Sequence, residues 1–130
     1  MNRRTFFRTV SAFPLLGPAL AWARSRLTAV RTVRLQVSPL AGFSYYNGPM
    51  VWECLRPGDT LRLVREPGNR HDAKAVAIHW FEWKIGYLPR AENTVVAELL
   101  DRQVILHARV EALAESDDPW ERVQLSVHLS

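Results

Sequence analysis

The sequence has almost no cysteine and no long hydrophobic run. Its single cysteine, Cys54, cannot form an intramolecular disulfide or a cysteine-based zinc site. We expect Cys54 to be a small, half-buried hydrophobic residue. The apolar run of residues 9–22 is interrupted by Pro14, Gly17 and Pro18, and it is shorter than the roughly 20 residues that cross a bilayer as a helix. We therefore predict no stable membrane span.

Common catalytic motifs are also absent from the sequence. It contains neither the G-x-x-x-x-G-K-[ST] loop of P-loop ATPases nor the G-x-S-x-G nucleophile elbow. Its four histidines are scattered without metal-ligand spacing. His71 and Asp72 could form an acid–base or metal cluster with Glu66, but a turn need not bring such residues together. We predict that the chain is not an enzyme and uses no metal or cofactor.

Acidic residues are missing from the N-terminus, where positive charge is concentrated. The formal net charge is +4, and three of the 17 basic residues, Arg3, Arg4 and Arg8, lie in the first ten positions. None of the 13 acidic residues does. The rest of the chain is almost neutral, so any nucleic-acid binding would depend on a local site and not on a global positive field.

Residues 1–23 have the features of a twin-arginine-type export signal. Consecutive arginines, a short and mildly apolar run, and the sequence A-W-A at residues 21–23 follow one another in the expected order. We expect the export machinery to recognise this segment, and residues 24–130 to form the folded domain. The protein would then be periplasmic or exported. The alternative is a basic, partly disordered extension on a cytoplasmic protein.

The chain after residue 23 has the pattern of a mostly β domain. Alternating apolar and polar residues predict six short strands, at residues 30–37, 60–65, 75–81, 84–88, 104–112 and 121–129. A helix is predicted after Pro89, with four apolar residues on its core side: Val95, Val96, Leu99 and Leu100. Short strands at regular spacing favour a small, mostly antiparallel barrel or sandwich.

Aromatic residues are concentrated where the third and fourth strands connect. Glu82 and Trp83 are expected to form this tight connection. Trp80, Phe81 and Trp83 lie at the same hairpin tip. We expect one of these rings to pack on the core and another to be exposed, where a partner could contact it.

The turn of residues 66–74 has unusually many functional side chains. A turn needs only Gly, Pro, Asn or Asp, but this one also carries His71 and Lys74. Asp72 could accept a hydrogen bond from a ligand hydroxyl, and Lys74 could meet a phosphate. The alternative is that Asn69 and Asp72 bond their own backbone, as such residues do in most turns.

Two further segments carry side chains suited to binding. Tyr45 and Tyr46 are adjacent in a glycine-bounded loop, and exposed aromatic faces are surfaces on which a base or another flat ligand stacks. The alternative is that one of the two rings plugs the end of a barrel. Tyr87 and Arg90 lie near the predicted start of the helix, where an arginine and the positive helix end together favour an anion.

Three motifs resemble those of the HIRAN domain. They are G-F-x-Y-Y-x-G, then L-x-x-G-D-x-L-x-L-x-R-E-P-x-N-x-x-D-x-x-A-V, then I-G-Y-L-P-R, in this order over about residues 33–113. The resemblance implies a mostly β fold with one or two helices, similar to an OB-like β-barrel of about six strands. In eukaryotes the family is found on fork-remodelling helicases, where it binds the 3′ end of single-stranded DNA. In bacteria it also occurs alone.

The resemblance also implies which residues bind. Asp72 would accept a hydrogen bond from the terminal 3′-hydroxyl, the tyrosine pair would flank the terminal nucleotide, and the basic residues would face phosphates. The implied nucleic-acid site consists of Tyr45, Tyr46, Asn69, His71, Asp72, Lys74, Tyr87 and Arg90.

A second hypothesis keeps this pocket but changes its ligand. An exported protein would meet few replication forks, so the domain would be a non-catalytic binding module for an envelope glycan, a nucleotide or a partner protein. A ligand-dependent rise in melting temperature without oligonucleotide binding would distinguish this hypothesis from the first.

Overall fold

The structure is a computed structural model and describes residues 32–130. The predicted export signal, residues 1–23, lies outside the described residues. Six strands are present: β1 Val33–Pro39, β2 Thr60–Arg65, β3 Val76–Trp80, β4 Trp83–Tyr87, β5 Leu106–Leu113 and β6 Val123–Leu129. The α-helices are short: α1 Gly48–Val51, α2 Thr94–Asp101 and α3 Pro119–Arg122.

All six strands belong to one antiparallel sheet, in the order β1-β6-β5-β2-β3-β4. A single bridge joins the two ends of this order: the backbone N–H and C=O groups of Ala41 and Tyr87 bond each other at 2.9 Å. The predicted fold class, mostly β with six strands and an OB-like arrangement, is confirmed. The sheet is not closed into a barrel by a continuous ladder, and this one bridge holds the segment after β1 against β4.

The strands bury one face of the sheet because their apolar residues alternate. Leu61 on β2, Ile78 on β3 and Leu125 on β6 are all buried on this side. Their neighbours Arg62 and His79 lie on the opposite face.

The helix after Pro89 starts later than the sequence predicted. Residues Arg90–Glu92 form a separate 3₁₀ turn, and the α-helix begins only at Thr94. Val95 was predicted to face the core, but it is 57% exposed. The buried side of the helix is centred on Val96 and Ala97, and Val95 lies about 100° around the axis from Val96.

The connection between β3 and β4 is also shifted from its predicted position. Trp80 pairs with Trp83, so the two-residue loop consists of Phe81 and Glu82 and not of Glu82 and Trp83. Trp80 packs against the core and Phe81 is 73% exposed, which confirms the expected division of roles among these rings.

Cys54 was predicted to be half-buried, but it is exposed. It ends a 3₁₀ turn at Trp52–Cys54, in which no residue is fully buried. Across residues 32–130, no helix has both the length and the apolar character that crossing a membrane requires.

Candidate functional site

A cavity of about 240 Å³ lies where β4 ends. Three parts of the chain meet there. The Ala41–Tyr87 bridge brings the tyrosine loop to β4, and a bond from Glu66 N to Ala75 O at 3.0 Å closes the β2–β3 loop beside it. We call this cavity the Asp72 pocket, and its lining residues are Ala41, Tyr46, Asn69, His71, Asp72, Ala75, Tyr87, Leu88 and Arg90.

The β2–β3 loop is shaped by hydrogen bonds to its own backbone. Asn69 Oδ1 accepts from the N–H groups of His71 at 2.9 Å and Asp72 at 3.2 Å. Asp72 Oδ1 accepts from Lys74 N at 2.9 Å. Asn69 Oδ1 and Asp72 Oδ1 therefore bond to the backbone of their own turn, as the alternative interpretation of the sequence predicted. The same bonds hold Asp72 and His71 in fixed positions on the pocket wall.

The second carboxylate oxygen of Asp72 is positioned by a buried residue. Asn93 is 1% exposed, and its Nδ2 donates to Asp72 Oδ2 at 2.7 Å. Burial raises the pKa of Asp72, but the hydrogen bonds from Lys74 N and Asn93, with the charges of Arg90 and Arg65, lower it below 3.8 overall. Asp72 is therefore ionised at neutral pH and acts only as an acceptor.

Sequence reasoning missed Asn93. An asparagine directly before a helix usually caps that helix with its side chain. Asn93 occupies the N-cap position of α2, yet its side chain makes no capping bond. Its amide is bonded to Asp72 instead, and only the packing of α2 beside the β2–β3 loop shows this.

Two tyrosines form the aromatic wall of the Asp72 pocket. The rings of Tyr46 and Tyr87 meet edge to face, with centroids 5.4 Å apart. Lys84 Nζ lies 5.2 Å from the Tyr46 centroid and 4.8 Å from the Tyr87 centroid. Such placement of an ammonium over a ring is attractive. Lys84 therefore holds both rings together from behind the wall.

Hydrogen bonds fix the hydroxyl of Tyr87. It donates to Glu66 Oε1 at 2.7 Å and accepts from Lys84 Nζ at 2.9 Å. Lys84 Nζ also pairs with Glu66 Oε2 at 2.9 Å. Burial raises the pKa of Glu66, but bonds from Tyr87 and Lys84 lower it overall, so this carboxylate stays charged. Neither Glu66 nor Lys84 was predicted to support the wall: Glu66 is 21 residues from Tyr87, and Lys84, although only three residues from Tyr87, contacts it through a side-chain bond that the sequence does not indicate.

The structure brings together six of the eight predicted residues and leaves two outside. Tyr45 is 85% exposed and does not line the Asp72 pocket, although it is next to Tyr46. Lys74 Nζ lies 3.7 Å from Glu98 Oε1 on α2, so its charge is directed to the helix. Arg90 is exposed at the pocket edge. Within residues 32–130, no group of three or more His, Cys, Asp or Glu side chains could hold a metal ion.

The fold and the pocket together define a small β-rich binding module with an aromatic wall and an ionised acceptor. A profile of the HIRAN domain matches residues 33–130, and the chain belongs to the HIRAN domain family. The resemblance in the sequence is thereby confirmed. The match extends beyond residue 113 to the end of the chain because β6, in the middle of the sheet, is part of the domain.

Two solved structures have the same fold. A crystal structure of a protein from Lactobacillus plantarum is 27% identical, with a TM-score of 0.66, over 76% of this chain and 95% of that chain. The crystal structure of the HIRAN domain of human HLTF is 16% identical, with a TM-score of 0.58, over 75% of this chain and 78% of that chain. No curated protein sequence matches the chain significantly.

Membership of this family sets the general class of function. HIRAN domains are nucleic-acid-binding modules, and the domain binds without itself being catalytic.

Proposed function

We propose that this chain binds the 3′ end of single-stranded DNA in the Asp72 pocket. The observation that carries the proposal is the position of an ionised carboxylate inside a small cavity with a tyrosine wall. Two of the four Asp72 hydrogen-bond sites are taken, by Lys74 N and Asn93 Nδ2. The remaining lone pairs are free to accept from a terminal 3′-hydroxyl.

The negative charge of Asp72 should make the pocket bind a 3′-hydroxyl end more tightly than a 3′-phosphate end. A 3′-phosphate would place a second anion within hydrogen-bonding distance of the carboxylate, and two like charges that close repel strongly. Arg90 at the pocket edge would meet the phosphate on the 5′ side of the terminal nucleotide. The pocket should therefore distinguish a 3′-hydroxyl end from a 3′-phosphate end, because the negative charge of Asp72 lies inside it and the positive charge of Arg90 lies at its edge.

The small volume of the pocket favours a ligand no larger than about one nucleotide. Its volume of about 240 Å³ is below the about 300–1,000 Å³ typical of sites for drug-sized ligands. Tyr46 and His71 offer flat surfaces for the terminal base. Tyr45, outside the pocket and almost fully exposed, offers its ring to a neighbouring base.

The test compares oligonucleotides that differ only at the 3′ end. We expect fluorescence anisotropy to show binding to a 5′-labelled single strand with a 3′-hydroxyl, and binding at least about tenfold weaker when the end carries a phosphate. Asp72→Asn removes the negative charge and should reduce the difference in affinity between the 3′-hydroxyl and 3′-phosphate strands. Equal binding of both ends by the unmodified protein would contradict the proposal.

Variants of the wall provide a second readout. Tyr46→Ala should weaken binding by about five- to 150-fold, the range for loss of one base–aromatic stack. Arg90→Ala should weaken binding and make it less salt-dependent. The matched control is Arg102→Ala, which removes an exposed arginine just past the other end of α2 and should leave binding unchanged.

The N-terminal sequence favours a second candidate, an exported module that uses the Asp72 pocket for another polar ligand. The double substitution Arg3→Lys with Arg4→Lys should keep the protein in the cytoplasm if residues 1–23 are a twin-arginine signal. Cell fractionation and N-terminal sequencing check this: we expect the unsubstituted protein in the periplasm with a mature N-terminus at Arg24, and the double variant in the cytoplasm. An intact unsubstituted chain in the cytoplasm would oppose the second candidate and support a role on cellular DNA.

A further inference from the structure

A second cavity, of about 350 Å³, lies at the other end of β3. It combines two hydrophobic aromatic rings, Trp80 and Phe81, with four polar or charged side chains, and the three motifs of the family do not include the two rings. We call it the Phe81 cavity, and its lining residues are Asp59, Thr60, Arg62, His79, Trp80 and Phe81.

The Phe81 cavity opens on the same face of the sheet as the Asp72 pocket. His79 pairs with Arg62 on one side and with Lys84 on the other, so these side chains form one row across β2, β3 and β4. Ala77, two residues before His79, pairs with Tyr87 and points to the same face. Lys84, which supports the tyrosine wall of the Asp72 pocket, thus lies between the two cavities.

Phe81 presents its ring to this cavity from a backbone position where a side chain is unusual. It is 73% exposed with φ of 53°, in the left-handed region, at the first position of the two-residue loop between β3 and β4. Glycine is usual at that position of a hairpin loop with positive φ. The ring lies edge to face on Trp80 at 4.7 Å between centroids, and Trp80 is anchored by a bond from Nε1 to Asp59 Oδ2 at 3.1 Å.

The polar groups of the Phe81 cavity have capacity for a ligand. His79 lines the cavity, but its Nδ1 atom has almost no exposed surface and lies behind that lining. The guanidinium of Arg62 makes one long bond, 3.4 Å to Phe81 O, and is otherwise directed to solvent.

We propose that the Phe81 cavity binds a second nucleobase of the same strand, upstream of the 3′ end held in the Asp72 pocket. The base would stack on Phe81 and place its phosphate at Arg62. The proposal rests on the proposed function, since it extends the strand from the Asp72 pocket. The exposed aromatic ring and the exposed arginine favour a base with its phosphate over the apolar surface of a protein partner.

The spacing of the two cavities sets the length of strand required. The six residue-to-residue steps from Ala75 to Phe81, along β3 and into its loop, cover about 20 Å at about 3.3 Å per step. Bases stacked at about 3.4 Å would need about six nucleotides to cover it. This agrees with the roughly 4–16 nucleotides that one OB-type domain covers.

The experiment uses the full-length protein with 5′-labelled oligothymidylates of three and ten nucleotides, both ending in a 3′-hydroxyl. We expect the ten-nucleotide strand to bind more tightly. Phe81→Gly should weaken its binding by about five- to 150-fold and leave the three-nucleotide strand unaffected. Because glycine suits the positive φ, this variant should keep its melting temperature, which separates lost binding from lost folding.

A second variant and a direct readout complete the test. Arg62→Ala should reduce the salt dependence of binding to the longer strand by one phosphate contact. The indole NMR signal of Trp80 should shift on addition of the longer strand but not of the shorter one. Equal binding of the longer strand by wild type, Phe81→Gly and Arg62→Ala, or an unmoved indole signal, would overturn the second subsite.

The outcomes also separate this inference from the proposed function. If only Asp72 variants lose binding to both strands, the end pocket stands and the second subsite is wrong. If wild type binds the longer strand through Phe81 but does not distinguish 3′-hydroxyl from 3′-phosphate, the second subsite holds and end recognition is wrong.

Discussion

At the scale of single residues, the low pKa of Asp72 depends on groups from four parts of the chain. Lys74 N comes from its own loop, Asn93 from the start of α2, and Arg65 and Arg90 act through their charges. An ordinary aspartate is already ionised at neutral pH; these groups keep the carboxylate of Asp72 charged to lower pH, and the two hydrogen bonds fix its orientation.

Asn93→Ala tests how far Asp72 depends on its positioning residue. The substitution removes a buried donor to a charged group, which should cost about 1–3 kcal/mol in the free energy of unfolding. It should also weaken binding of a 3′-hydroxyl end, because the Asp72 side chain loses one of its two fixed bonds. Urea unfolding and anisotropy measure the two effects.

Asn93→Asp is the sharper companion variant. It would place a second carboxylate against Asp72 Oδ2, which raises the pKa of one of the pair. Binding should then become dependent on pH between about 4 and 7. Unchanged binding in both variants would mean that Asn93 does not position Asp72.

At the scale of elements, the Asp72 pocket depends on the close approach of β4 to the segment after β1. Gly86 makes this approach possible, because a Cβ at position 86 would run into the backbone oxygen of Ala41. The Ala41–Tyr87 bridge lies beside it and sets where Tyr46 meets Tyr87. A glycine inside a strand often marks such a contact.

Gly86→Ala should therefore separate β4 from the Ala41 segment. Overpacking of this kind costs about 1–3 kcal/mol, and the tyrosine wall should lose affinity for the strand end in parallel. Thermal unfolding and anisotropy report the two losses. Gly68→Ala is the matched control, since a Cβ there meets nothing within 4 Å. Equal effects of the two substitutions would contradict this role of Gly86.

At the scale of the whole molecule, the partly buried His79 and the buried His128 make stability depend on pH. Burial, with the charges of Arg62 for His79 and of Arg109 for His128, lowers both pKa values below 6.5 in the folded protein. Both imidazoles therefore take up protons more readily in the unfolded chain. Their contribution is complete above about pH 6.5 and is lost as the pH falls through the folded pKa values.

Acid unfolding should accordingly occur in two stages. The first decline, below pH 6.5, reports the histidines. A second follows below pH 4.5 and 3.8, because the pKa values of Glu66 and Asp72 are lowered in the folded state. Urea midpoints at a series of pH values measure this. Replacing His79 and His128 by glutamine should remove the first decline, and a decline that persists in the double variant would show the assignment to be wrong.

The family and most of the fold were accessible from the sequence. The alternation of apolar and polar residues predicted the boundaries of the six strands to within about three residues. It does so because a strand that buries one face of a sheet has an apolar residue at every second position. The start of α2 was missed, because a 3₁₀ turn and an α-helix have similar local patterns. The sequence predicted the two tyrosines of the wall but not the residues that support them, because nothing in the residue types of Glu66 and Lys84 indicates which rings they contact.

By itself, the sequence determined the strand pattern, the HIRAN motifs and the residues able to accept, stack or carry charge. Only the tertiary structure decided which of them meet: Tyr46 lines the Asp72 pocket while Tyr45 remains outside, and Lys74 turns to Glu98. Periodicity and residue chemistry are local properties that the chain carries in any conformation. Which side chains contact each other depends on how distant segments pack together. Asn93 and Asp72, for example, are 21 residues apart in the sequence and bond each other in the structure.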